Sequence, residues 1–116
     1  MTDRPLTAYK VLTAEQMAAL EHEGRFDGAP VDLSDGFIHL STEVQLTETV
    51  DRHFAGQTDL WVAAVDLAAY RSIRWEESRG GQLFPHLYEP LRLDTVVAYG
   101  PLHRDADGRV ALPVTG

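Results

Sequence analysis

The sequence predicts an α+β fold in a single domain, with a mainly antiparallel sheet of about six strands and two helices placed early. Three observations carry this prediction. The chain has 116 residues, the size at which one domain with one core is the default. Helical periodicity is confined to the first half. From Leu60 onward, apolar and alternating segments follow one another without room for the crossover helices that a parallel sheet requires. No repeat or Pro/Gly-rich linker divides the chain, so 1–116 reads as one unit, with a core over 7–102 and a short C-terminal extension over 103–116.

The elements follow in order. Thr7 to Leu12 is a strand candidate. Thr13-Ala14-Glu15-Gln16 is a capping box that starts a helix running to a glycine C-cap at Gly24. Arg25 to Asp35, with Asp27-Gly28, Pro30 and Ser34-Asp35-Gly36, reads as a turn-rich loop leading into a strand at Phe37-Ile38-His39-Leu40-Ser41. Thr42-Glu43-Val44-Gln45 repeats the capping box, and Leu46, Val50 and Phe54 supply the buried stripe of a second helix stopped at Gly56. Leu60 to Leu67 is apolar enough for a central strand buried on both faces. Ile73–Glu76, Leu83–Tyr88 and Thr95–Tyr99 read as further strands, and Arg109–Leu112 as an edge strand. The predicted core is Ile38, Leu40, Leu46, Val50, Phe54, Trp61, Val62, Val65 and Val97.

Charge narrows the function. Ten Lys+Arg against eighteen Asp+Glu give a net −8, and Lys10 is the only lysine. Such a surface repels phosphate backbones and argues against nucleic acid or an anionic membrane as partner. A small anion or nucleotide stays open, since it needs only one or two arginines and some backbone N–H groups. The absence of cysteine excludes disulfides and thiolate metal sites and fits a reducing compartment. No stretch approaches the roughly 20 apolar residues of a membrane span. Met1-Thr2-Asp3-Arg4-Pro5 lacks the apolar run of a signal peptide, so a cytoplasmic location is expected. The five histidines never fall at a zinc-ligand spacing, and no metal is expected. His22 and His53 are expected to be solvated on the polar sides of their helices.

Strand alternation points to a site. Phe37, His39 and Ser41 share one face, opposite Ile38 and Leu40; Phe84, His86 and Tyr88 share one face, opposite Pro85 and Leu87. If these faces converge, they form an apolar-walled cleft with His39, Ser41, His86 and Tyr88 as polar groups; if they point outward, both are merely solvated. Trp75-Glu76-Glu77-Ser78-Arg79-Gly80-Gly81 has two readings as well. It is either an anion cradle, with Arg79 and the Gly80-Gly81 backbone on the anion, or a tight turn. Glu76, Glu77 and Glu89 are candidate acids or bases, or plain surface charge.

Tyr9-Lys10-Val11-Leu12-Thr13, Gly36-Phe37-Ile38-His39-Leu40-Ser41-Thr42 with Gln45, Arg52-His53-Phe54, Trp75-Glu76, Arg79-Gly80-Gly81 and Phe84-Pro85-His86-Leu87-Tyr88 together closely resemble the domain-of-unknown-function 952 family over about Tyr9 to Leu102. That family looks like a compact relative of the ADP-ribosyltransferase fold, in which a split antiparallel sheet holds NAD. Ile38-His39-Leu40-Ser41 resembles the His-Leu-Ser strand of the tRNA 2′-phosphotransferases within that fold, although Lys10 stands where those enzymes carry a histidine.

The resemblance implies NAD or an ADP-ribose derivative as cofactor or substrate, and a transferase or NAD-processing activity. Its expected catalytic residues are His39, Tyr88 and Glu89, with Glu89 or Glu76 steadying an oxocarbenium-like centre. Lys10, Phe37, Ser41, Trp75, Glu76, Arg79, Gly80, Phe84 and His86 are expected to bind the ligand. A non-catalytic binding or interaction module with a degenerate site is the alternative, favoured by Lys10 in the histidine position.

Overall fold

The structure, a computed structural model, describes residues 5–113, with the side chain of Arg79 excepted. Strand β1 (Thr7–Thr13) runs into helix α1 (Ala14–Glu23) through the expected box: the Thr13 hydroxyl accepts from the Gln16 N–H at 3.1 Å, and the Gln16 side-chain Oε1 accepts from the Thr13 N–H at 3.0 Å. Gly24 closes the helix in the left-handed region at φ 78°, where its N–H reaches Leu20 O. Then come β2 (Arg25–Phe26), α2 (Pro30–Asp35), β3 (Ile38–His39) and α3 (Glu43–His53), the last capped by Thr42 and Gln45 as predicted. The second half is β4 (Leu60–Asp66), β5 (Ile73–Glu77), β6 (Leu83–Leu87), β7 (Leu91–Arg92) and β8 (Val96–Pro101).

All strand pairs are antiparallel, in three sheets of order β1-β4-β8, β3-β6-β5 and β2-β7. A bridge between Tyr9 and Ser41, with backbone bonds of 2.7 and 2.9 Å, stitches the first two sheets together. Two cores lie on opposite faces of the β1-β4-β8 sheet, and β1 feeds both by alternation. Ala8 and Leu12 join Met17, Leu20, Ile38, Leu40, Val65, Leu87 and Leu91 on one side. Tyr9 and Val11 join Leu46, Val50, Val62, Ala64 and Ala98 beneath α3 on the other.

The α+β class and the antiparallel pairing are as the sequence predicts, and several details differ. Residues 30–35 form a helix rather than part of a loop, since Pro30 opens it and the Asp32 carboxylate accepts the Ala29 N–H. The Phe37–Ser41 strand contracts to Ile38–His39 because the chain leaves β6 to bridge with Tyr9. Helix α3 ends at His53, with Phe54 rather than Gly56 as its cap. Arg109–Leu112 forms only a bridge from Val110 to Arg104. Val97 is half exposed, not core, because β8 is a sheet edge whose outer face is uncovered. Trp61 and Phe54 pack against the cores while partly exposed.

Candidate functional site

The convergence of the two histidine strands follows from register. In the β3-β6 pair, Ile38 stands opposite Leu87 and His39 opposite His86. Ile38 and Leu87 are buried in the core, so the two imidazoles face the other way, with ring centroids 5.6 Å apart. Phe37 stacks on His86 at 4.0 Å. On β5, Arg74 and Glu76 stand opposite His86 and Phe84 and share their face.

Between this face, α2, α3 and the end of β1 lies a cleft of about 560 Å³. Its apolar wall is Val11, Pro30, Val31, Leu40, Phe54 and Phe84; its polar lining includes Lys10, Gln16, Asp35, His39, Thr49, His53, Gln57, Ser78 and His86. An apolar wall with a few convergent polar groups is the usual make-up of a small-molecule site.

The hub of the polar wall is Asp32, whose side chain is 1% exposed. It accepts from Lys10 Nζ at 3.2 and 2.9 Å, from the Ala29 N–H at 2.8 Å and from the His39 N–H at 3.0 Å, and it lies 2.6 Å from His39 Nδ1. Gly28 makes room for it. At φ 135° the position suits glycine alone, and a Cβ there would lie 2.9 Å from Asp32 Cβ. Burial by itself would raise the Asp32 pKa, but the bonds from His39 and Lys10 outweigh it and hold the carboxyl far below the usual carboxylate range. Burial pushes Lys10 down, and the Asp32 charge opposes that fall. The third Lys10 donor reaches His39 O at 3.1 Å. All three ammonium protons are thus used inside the protein, so Lys10 braces the cleft wall instead of offering its charge to a ligand.

The two histidines are oriented by different carboxylates. His39 lies between two acids of α2, with Nδ1 on Asp32 and Nε2 2.9 Å from Asp35. His86 Nδ1 lies 2.8 Å from Glu76 Oε1, which also accepts the Tyr88 hydroxyl at 2.7 Å. The Tyr88 and His86 bonds hold Glu76 below the usual carboxylate range, and the same contact raises the Tyr88 hydroxyl. The Glu76 carboxylate on Nδ1 favours, for the neutral ring, the tautomer with Nδ1–H donated and the lone pair on Nε2, that of an acceptor or general base.

Of the residues singled out in the sequence, His39, His86, Phe84 and Lys10 line the cleft, while Phe37 and Glu76 support His86 from behind. Others lie elsewhere. Ser41 is buried, with its hydroxyl 2.8 Å from that of Thr49. Trp75 lies on the opposite face of β5, across from Pro85, and packs against the first core. Tyr88 and Glu89 border a separate depression of about 250 Å³, where Glu89 is taken up by Ser72 and Arg92. Gly80 and Gly81 make a left-handed turn between β5 and β6. The Arg79 side chain, the anion contact expected from the sequence, lies outside the described residues.

Sequence reasoning misses Asp32 and Asp35, because they fall in a segment without periodicity. His53 is exposed, as expected, and its place on the cleft rim at the end of α3 is what the sequence does not show. The one readable sign was Asp35, four residues before His39. Among the described residues, no three His, Asp or Glu side chains are grouped to hold a metal ion, and no helix is long and apolar enough to cross a membrane.

Comparison with known proteins adds family and fold. The model of a family described as "protein of unknown function (DUF952)" matches residues 11–99. The crystal structure of protein CC0527 from Caulobacter crescentus is 44% identical, covering 91% of this chain and 94% of that one, with a TM-score of 0.82. The solution NMR structure of the same protein gives 43% identity, coverage of 90% and 91%, and a TM-score of 0.77. No curated protein matches the chain significantly.

Proposed function

The chain belongs to the DUF952 family of proteins of unknown function, and within that family we propose that it binds a small molecule in the His39–His86 cleft and moves a proton on it with the two imidazoles. One observation carries this reading. Two histidines directly opposite in register, each with a ring nitrogen on a carboxylate, open on a single cleft of about 560 Å³. Imidazoles oriented by carboxylates are the usual means of proton transfer near neutral pH.

NAD or an ADP-ribose-like nucleotide is the ligand favoured by the resemblance of His39-Leu40-Ser41 to the His-Leu-Ser strand, with transfer or hydrolysis of ADP-ribose as the reaction. His39 is the ribose contact in this reading. Ser41, occupied by Thr49, is not. A binding module without chemistry is the second reading. It is favoured by two observations: Lys10 is consumed by Asp32 and His39, and Glu89 lies outside the cleft.

Thermal shifts with NAD, ADP-ribose, adenosine and inorganic phosphate test the proposal, each variant being referred to its own ligand-free Tm. Ligand at 100 times its Kd stabilises the native state by about 2.7 kcal/mol. A shift in the wild type that is lost in His86→Gln supports the cleft, and turnover of the bound nucleotide then selects the enzyme. No shift with any compound at millimolar concentration overturns it.

A further inference from the structure

The two carboxylates on His39 differ in how firmly they are held. Asp32 is 1% exposed and fixed by Lys10, by two backbone N–H groups and by the ring itself. Asp35 is 46% exposed, is joined to Nε2 by a single contact, and lines the cleft together with the ring it touches. Gly36, at φ 87°, ends the helix directly after it.

Resting on the reading of this cleft as a small-molecule site, we propose that Asp35 holds, from within the chain, the place of an acidic group of the ligand. A carboxylate or phosphate oxygen takes over the His39 Nε2 bond and displaces Asp35. The exchange is nearly neutral in energy, because a half-exposed ion pair contributes little to stability. His39 keeps its orientation throughout, since Asp32 retains both its Nδ1 and its backbone N–H.

Geometry favours the same exchange. Withdrawing Asp35 leaves His39 Nε2 facing the cleft without its partner, and an acidic oxygen of the ligand restores the contact. His86 and His53, which face the same cleft from β6 and α3, add no negative charge.

The asymmetry between the imidazoles defines the ligand further. His39 presents an N–H, while His86, with Nδ1 on Glu76, presents a lone pair 5.6 Å away, centroid to centroid. The matching ligand is a small organic anion with a hydroxyl or N–H beside its acidic group and an apolar body against Val31, Phe54 and Phe84.

The test titrates the full chain, at one pH, with benzoate, phenyl phosphate and the neutral isostere benzamide, followed by chemical shifts of the cleft residues. Asp35→Asn, nearly isosteric and on an exposed side chain, guards against a folding artefact in Asp35→Ala. The expected result is a gain of roughly threefold to tenfold in affinity for both anions in the two variants, the size of one exposed charge contact. Benzamide should be unchanged, and His39→Gln should cancel the gain. Benzoate against phenyl phosphate distinguishes a carboxylate ligand from a phosphate one. If the probes bind in the cleft but both Asp35 variants leave anion affinity equal or lower, this inference fails and the small-molecule site stands. If no probe perturbs the cleft in any variant, both fail.

Discussion

Lys10 Nζ stands 2.9 Å from Asp32 Oδ2, and the two side chains are only 6% and 1% exposed. They come from a strand and a helix 22 residues apart in sequence, so the pair ties α2 to the first sheet and sets the wall on which His39 rests. Removing one partner of a buried pair strands the other charge. Lys10→Met is therefore expected to cost about 3–5 kcal/mol in urea unfolding. The double variant Lys10→Met/Asp32→Asn should recover part of that loss, and a single variant within about 0.5 kcal/mol of wild type would contradict the role given to the pair.

Stability should also depend on acid in a defined direction. The Asp32 pKa is depressed in the folded state, burial being outweighed by His39 and Lys10, whereas in the unfolded chain it returns to about 3.9. Between those values the unfolded state binds more protons, so stability rises with pH across that window. The contribution is fully present above the unfolded value and is lost as pH falls toward the folded one. Urea midpoints measured from pH 7 down to pH 3 should fall more steeply in the wild type than in Asp32→Asn.

The Glu76–His86 contact of 2.8 Å makes a prediction about a tautomer. In the wild type, long-range proton–nitrogen NMR should show neutral His86 protonated at Nδ1. Glu76→Gln should shift the population toward the Nε2–H form. Tyr88→Phe, which removes only the second bond to Glu76 Oε1, should leave the tautomer as it was.

Tyr70 tests the far side of the fold. Its buried hydroxyl lies 2.6 Å from Thr95 Oγ1 and accepts the Arg92 N–H at 2.9 Å. Tyr70→Phe leaves that N–H without its acceptor, for an expected loss of about 1–3 kcal/mol in urea unfolding. Ligand-induced shifts in Tm should not change.

Much of the site can be read from period two. The alternation along Phe37-Ile38-His39 and Phe84-Pro85-His86 puts both imidazoles opposite core residues, whatever the strands pack against. Register cannot be read that way: nothing local says that His39 pairs with His86. Asp32 is hidden for a different reason. A carboxylate in a six-residue helix carries no periodic signal, and its burial depends on a lysine that arrives from another element. Ser41 leaves the expected face because β3 ends at His39, after which the chain turns to bridge Tyr9. Val97 misleads because the apolar run around it fits a covered strand, and only topology shows that β8 is an edge.

Every residue of β1, from Thr7 to Thr13, finds its partner in β4, between Asp66 and Leu60, and β4 finds its other partner in β8 as far as Pro101. On a ribosome the chain emerges in the reverse order of need. The first strand to appear waits through some fifty residues of translation, on the order of several seconds at ordinary elongation rates, before its partner is made. The partner in turn keeps an open edge until Val96–Pro101 has been released. A nascent fragment that stops short of β8 would hold both histidine strands and every residue lining the cleft, yet its longest sheet would lack a flank, so the cleft becomes a lasting structure only once β8 has been made.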